Sequence, residues 1–572
     1  MKRSLALAAT AALVAAALPA FTTQDHDHED RGRARFELVE TTIPQIRRAL
    51  QSNVISAERL TRMYLKRIKA YEEAGPAINA YQHVNAHALR DARALDALDH
   101  RKRSRKPLYG VPVLLKDNVD TADMPTTAGS VALKGSIPPD DAFITKKLRE
   151  AGAIILGKGT LTEYANFIAI GMPTGYSSLG GFGFNPYDPR VDPRTTPPFN
   201  DGRPVLQTGG SSSGPAIGVN ANLVAVAVGT ETSGSILSPA SANGIVGIKP
   251  TVGLVSRDGI IPITADQDTA GPLTRTVTDA AILLGVLAGY DPNDQATAAC
   301  LTPGNCFDDY TKFLKKKALR NARLAVPPVP ENRTAIMDAA IEVMRAQGAY
   351  VERIETYEAR IGMPQLGTCL TRPEPTDLTC STVLLYGFKR DLNAYLAATP
   401  GAPLQTLTQI IAFNEAHVPP MKYGQAIAIG AEALDTAPGS ADTARYLADR
   451  AEDLRRSKLA LDGVFKGPDG LKGTDDDFDA VLHLGNANAN VPAKAGYPSV
   501  AVPGGFNALS TLTPGDPPIG VPFPSDVTFA GPAFSEPKLI ALAYAFEQAT
   551  RHRVPPASTP PLPSDTVRER RR

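Results

Sequence analysis

Residues 208–241 read TGGSSSGPAIGVNANLVAVAVGTETSGSILSPAS. Two Gly/Ser-rich turns, 209–214 and 232–235, flank an apolar run at 217–228. Glycine lacks a Cβ and tolerates unusual dihedrals, so such turns bring backbone N–H groups close to a ligand. Successive N–H groups there form a concavity suited to an anion or a developing oxyanion. Two hydroxyls, Ser211 and Ser235, stand beside it, 24 residues apart (235 − 211). The same pattern also describes two surface loops around a core helix or strand.

Outward from this stretch, short apolar runs at 111–115, 153–156, 244–249, 323–326, 479–484 and 499–503 read as buried strands. Helical spacing predicts helices over 42–50, 56–71, 86–101, 140–151, 277–288, 335–347 and 538–550, with a short one at 160–167. Residues 267–272 read as a turn and 187–205 as a loop-like insertion. The alternation predicts an α/β sheet with helices on both faces. Residues 350–480 are less regular and more helical. They read as a cap. Lys116 ends the strand at 111–115 and has two readings. It is a surface lysine leaving the core, or a desolvated amine whose lowered pKa makes it a base.

Bulk properties narrow the function classes. The chain has 572 residues, with Lys plus Arg 60 against Asp plus Glu 59. A net charge of +1 gives no electrostatic case for nucleic acid or an anionic membrane. Lys2 and Arg3 followed by an apolar run at 5–18, with Ala17 or Ala20 ending a small-residue site, predict an export signal over residues 1–20. That run is too short for a membrane span, so none is expected in the mature chain. Residues 21–36 follow as a linker. Four cysteines, Cys300, Cys306, Cys369 and Cys380, fit an oxidising compartment, and the local pairings 300–306 and 369–380 are the simplest of the three possible. The acidic loop at 467–479 lacks the glycine that an EF-hand needs at its sixth position, which leaves calcium a minor option. The Pro-rich, basic end, 556–572, is expected to be disordered.

Other serine and metal motifs fit poorly. Residues 210–214 match G-x-S-x-G, yet a Pro/Arg-rich loop precedes them where a strand is required. No H-E-x-x-H occurs, and the later histidines, His417, His483 and His552, lack a catalytic context. A serine activated by a base other than histidine fits better, and lysine is the alternative.

At this point the chain resembles the amidase signature family of serine amidohydrolases. The matching segments are KPLYGVPVLLKDNVD at 106–120, TGGSSSGPA at 208–216, GTETSGSILSPASANGIVGIKPTVGLVS at 229–256, QDTAGPLTRTVTDAA at 267–281 and AGYPSVAVPGGF at 495–506. The resemblance implies an α/β fold with a mixed twisted sheet sandwiched between helical layers. It implies one domain over 37–555, with 330–480 as a variable cap. It further implies a Ser-cisSer-Lys triad, with Ser235 as nucleophile, Ser211 as the bridging serine after a cis peptide, and Lys116 as base. The backbone N–H groups of Thr232, Ser233, Gly234 and Ser235 would form the oxyanion hole. No metal or organic cofactor is implied. The sequence departs from the common family pattern at Ser213, Glu231, Ser233 and Leu237, none of which supplies a triad side chain.

The expected activity is hydrolysis of a small-molecule or peptide amide by an exported, periplasmic or secreted amidase. The rivals are a non-catalytic binding homologue and an amidotransferase A-type subunit. The retained lysine and serines argue against the first. The absence of Arg at position 237 and the export signal argue against the second. Nothing in the sequence indicates an oligomeric state.

Overall fold

A computed structural model describes residues 35–329, 331–417, 421–507 and 522–568. The expected export signal, most of the linker and the last four residues lie outside that range. Arg35–Glu37 (β1) and Tyr81–Val84 (β2) come first, then Pro112–Lys116 (β3), Ile154–Gly159 (β4), Val226–Glu231 (β5) and Val246–Lys249 (β6). Thr269–Thr274 (β7), Arg323–Val326 (β8), Tyr350–Arg353 (β9), Ala480–Leu484 (β10), Ser499–Asn507 (β11), Phe523–Ala530 (β12) and Thr566–Arg568 (β13) complete the series.

Eleven of these strands form one sheet in the order β9-β8-β10-β12-β11-β6-β7-β5-β3-β4-β2. The pairings β9–β8, β8–β10, β5–β3 and β3–β4 are parallel, and the other six are antiparallel. Helices flank this mixed sheet, as expected. Every residue of β3, β4, β5 and β7 is buried. Strands covered on both faces read as continuous apolar runs, which is why 111–115 and 153–156 were legible.

The central stretch resolves its ambiguity by being both things. Ser213–Asn220 is a helix, every residue of it buried, and β5 follows after a turn at Asn222, whose φ is 56°. Arg275 closes the far end of that helix, donating from Nη1 to the carbonyls of Val219 and Val224, both at 3.0 Å. A cation at a helix C-terminus satisfies free carbonyls and complements the dipole.

Three expectations need correction. The turn expected at 267–272 is largely strand β7, in the middle of the sheet. Gly271 and Pro272 masked it, because both argue against a central strand. Gly271 is needed there, since a Cβ would stand 2.1 Å from the Ile248 carbonyl oxygen. The cap also starts later than residue 330. The helix Thr334–Ala346 and strand β9 belong to the sheet layer. The helices Val383–Ala397, Leu407–Ala416, Ala426–Glu432 and Ala441–Phe465 make the cap and share a separate hydrophobic cluster with segments around 128–133, 164–172 and 261–263. Within it Phe388 meets Tyr164 and Phe167 edge-on, at 5.9 and 5.5 Å. Cys369 and Cys380 lie at disulfide distance at the cap's edge, Cα–Cα 5.1 Å, and Cys300 and Cys306 do so at 5.0 Å.

The third correction concerns the end of the chain. The segment expected to be disordered, 556–572, is folded as far as Arg568, where β13 pairs antiparallel with β1. Arg67, fully buried, holds it. Its guanidinium donates to the carbonyls of Thr559 (2.9 Å) and Pro560 (3.1 Å) and forms an ion pair with Asp565 at 2.5 Å. It also donates to the carbonyls of Ala221 and Asn222, both at 2.9 Å, and so ties the tail to the turn ahead of β5. Breaking a buried pair strands the remaining charge, at about 3–5 kcal/mol. Arg67→Ala should therefore lower unfolding stability in urea by about 3–5 kcal/mol. A change below about 1 kcal/mol, the range of an exposed pair, would mean the tail is not docked.

Candidate active site

The two Gly/Ser turns lie against each other. The Ser212 N–H donates to the Ser235 carbonyl at 3.2 Å, and Gly210 N–H reaches Ser238 Oγ at 3.4 Å. Gly209 makes this approach possible. Its φ is +65°, and a Cβ there would lie 2.6 Å from both Pro239 Cα and the Ser238 carbonyl oxygen. Gly214 serves the other side, where a Cβ would stand 2.3 Å from the Ala80 carbonyl oxygen and 2.4 Å from Thr160 N. The Gly210–Ser211 peptide is cis, the one non-proline cis bond among the described residues.

Lys116 arrives from the end of β3 and is fully buried. Its Nζ lies 2.7 Å from Ser211 Oγ, 2.9 Å from Thr230 Oγ1 and 3.2 Å from the Thr230 carbonyl oxygen. Burial lowers its pKa to about 7, while Asp268 and Glu231 act the other way. An ammonium group offers three donors to these three oxygens. The neutral amine offers two, enough for Thr230, and turns a lone pair towards Ser211. Thr230 is itself fixed: its Oγ1 accepts from Asn118 Nδ2 at 3.1 Å, and its N–H donates to Ser212 Oγ at 3.2 Å. Lys116 and Ser211 are fully buried, whereas Ser235 keeps 7% exposure. The member of the group that keeps some access to solvent is therefore the serine of the second turn.

The carboxylate of Glu231 shapes that second turn. It accepts from the N–H groups of Gly234 (2.7 Å), Ile236 (2.6 Å) and Leu237 (3.0 Å). This corrects one sequence expectation: the Gly234 N–H is already engaged and is not available to a substrate oxygen. The N–H groups of Thr232, Ser233 and Ser235 donate to no acceptor among the described residues. Gly234 has a φ of +83°, a conformation that favours glycine. Behind the turn, the Thr232 hydroxyl donates to Asp268. Burial pushes the Asp268 carboxyl up to about 7, against the pull of Thr232, the Ile263 N–H and Arg257.

Sequence reasoning named Lys116, Ser211 and Ser235 but missed Thr230, Asn118, Gln267 and Asp268. The signal for the last two was the 267–281 segment, whose resemblance carried no role for either residue. Among the described residues no group of three or more His, Cys, Asp or Glu side chains is arranged to hold a metal. No helix among them is long and apolar enough to cross a membrane.

A family model described as Amidase matches residues 59–371, more than half of the chain. The chain belongs to the amidase family. A probable amidase of Arabidopsis thaliana is 38% identical over 532 residues, 91% of this chain and 92% of that protein. The solved peptide amidase of Stenotrophomonas maltophilia is 36% identical, covers 91% of this chain and 98% of its own, and superposes with a TM-score of 0.73. The A-type subunit of the glutamyl-tRNA(Gln) amidotransferase of Gloeothece citriformis is 31% identical over 547 residues, 91% of this chain and 99% of that one. This amidase is an amide-hydrolysing enzyme with the amidase signature.

With Lys116 as the base that the resemblance implies, its pKa of about 7 fixes the direction expected of the pH response. Below that pH Lys116 carries its proton, and above it the amine is free to accept one. The rate constant kcat/KM for amide hydrolysis should rise about tenfold per pH unit below about 7 and flatten above it. A profile flat from pH 5 to 8 would contradict the assignment.

Proposed function

We propose that this amidase is exported and cleaves carboxylic amides through an acyl-enzyme, with Ser235 as nucleophile, Ser211 as proton bridge and Lys116 as base. The observation that carries the reading is the 2.7 Å contact between the buried Lys116 amine and Ser211 Oγ, next to the turn that presents Ser235. Neutral Lys116 takes the Ser211 proton, and Ser211 takes that of Ser235. The Ser235 oxygen then bonds to the amide carbon. The negative charge that develops on the carbonyl oxygen is met by the N–H groups of Thr232, Ser233 and Ser235, which have no acceptor among the described residues. The proton returns along the same path to the nitrogen, the C–N bond breaks, and ammonia or an amine leaves. Water attacks the ester that remains, giving its proton to the same relay. The acid departs, and the Ser235 hydroxyl is restored.

The likeness to a peptide amidase over nearly the whole chain supports a peptide C-terminal amide as one substrate class. Aryl and fatty acyl amides are the others. Export rests on the Lys2-Arg3 and 5–18 pattern, and the two cysteine pairs at disulfide distance are compatible with it. The likeness to an amidotransferase component favours a second reading, in which ammonia passes to a partner protein. Full turnover by the isolated chain, with free ammonia released, separates the two.

Ser235→Ala and Lys116→Ala should each lower kcat by on the order of 10³-fold or more, as loss of a member of a catalytic relay does, with the fold unchanged by circular dichroism. A fluorophosphonate should label Ser235 in the native enzyme. Activity retained in both variants would exclude this relay.

A further inference from the structure

The segment just ahead of β7 grips the second turn from behind. Gln267 Nε2 donates to the Thr232 carbonyl at 3.3 Å, and Asp268 accepts from the Thr232 hydroxyl. Asp268 is fixed in turn, its Oδ2 accepting from the N–H groups of Ile263 (2.8 Å) and Thr264 (3.0 Å). The neighbouring Asp266 is held by the cap. It accepts from Tyr446 at 2.9 Å and Arg390 at 3.3 Å, it pairs with Arg450 Nε at 3.3 Å, and its carbonyl accepts from Arg450 Nη2 at 2.8 Å. The loop therefore has a rigid anchor on one side and Thr232 on the other.

A planar trans peptide points its C=O and its N–H in opposite directions. The Thr232–Ser233 peptide is not among the cis bonds. Fixing the Thr232 carbonyl on Gln267 therefore aims the Ser233 N–H away from Gln267. That N–H donates to no acceptor among the described residues. Fixing the Thr232 hydroxyl on Asp268 removes the remaining rotational freedom of the same residue. We propose that Gln267 and Asp268 are positioning residues for the oxyanion-binding turn, holding Thr232 by its carbonyl and hydroxyl so that the Ser233 N–H meets the substrate oxygen. This rests on the proposed role of Ser235 and its turn. Neither side chain touches the reacting atoms. Donors held in advance are worth more as charge develops than in the bound ground state, so losing the clamp lowers kcat more than it raises KM.

The test uses the full-length enzyme and a simple amide with ammonia detection. Gln267→Met keeps the bulk and removes the donor, and the Thr232 contact is the one side-chain bond that Gln267 makes among the described residues. Thr232→Val removes the hydroxyl alone. Each should lower kcat by roughly 10–100-fold, leave KM within about threefold, and slow fluorophosphonate labelling of Ser235 in parallel. Read well above pH 7, where the lost Asp268 charge no longer changes the protonation of Lys116, Thr232→Val/Asp268→Asn should be no slower than the slower single variant, because both changes act on the Thr232–Asp268 bond. A thermal melt within a few degrees of native for Gln267→Met and Thr232→Val guards against simple unfolding. Near-native kcat in both, alongside a dead Ser235→Ala enzyme, would overturn the clamp alone. A raised KM with kcat intact would also overturn it. An active Ser235→Ala enzyme would overturn the clamp and the reading beneath it together.

Discussion

Lys116 meets Ser211 inside a shell that excludes water, and the rest of the site depends on that contact. An amine at the end of an exposed strand would stay protonated and could accept nothing. Placed on β3 between β4 and β5, with its Nζ surrounded by Ser211 and Thr230, the same amine loses most of its advantage as a cation. The charges that oppose this, Asp268 and Glu231, act against the burial that dominates, and the balance falls at about 7. That is where a base has both a vacant lone pair and enough basicity to use it. Two neighbouring strands pair the β3 backbone and the layers on both faces of the sheet bury its side chains, so the architecture that buries Lys116 also sets its basicity.

The two Gly/Ser turns meet by close backbone approach, and the first of them brings Ser211 to that amine. Gly209 and Gly214 each sit where a Cβ would collide with backbone, so the turns pack as glycine-to-backbone contacts. Glu231 then spans the second turn with three accepted hydrogen bonds. Glu231, one of the departures from the common family pattern, makes these contacts here. It engages the Gly234 N–H, and the N–H groups of Thr232, Ser233 and Ser235 have no acceptor among the described residues. A charged group thus defines the turn by selecting which donors stay free.

Much of this was legible in the sequence. The strands around 112–116 and 154–159 announced themselves as apolar runs because both faces are covered. Lys116, Ser211 and Ser235 sit in segments whose resemblance implies their roles. Three features were not legible, each for a physical reason. Strand β7 carries Gly271 and Pro272, which local rules count against a central strand, yet Gly271 answers a close carbonyl from β6. The tail from 556 has the composition of a disordered segment, but Arg67, distant in sequence, supplies the partners its carbonyls lack. Thr230 acts through its hydroxyl and carbonyl and Gln267 through an ordinary amide, and no spacing rule reports which group a distant side chain will reach.

The relay needs a neutral Lys116 amine at working pH. The most direct measurement is a pH titration of the ¹³Cε or ¹⁵Nζ resonance of Lys116 in the folded enzyme, assigned with Lys116→Arg. A buried amine shows a single transition near pH 7, well below that of the surface lysines. A Lys116 resonance that stays in its ammonium position to pH 10 would contradict it.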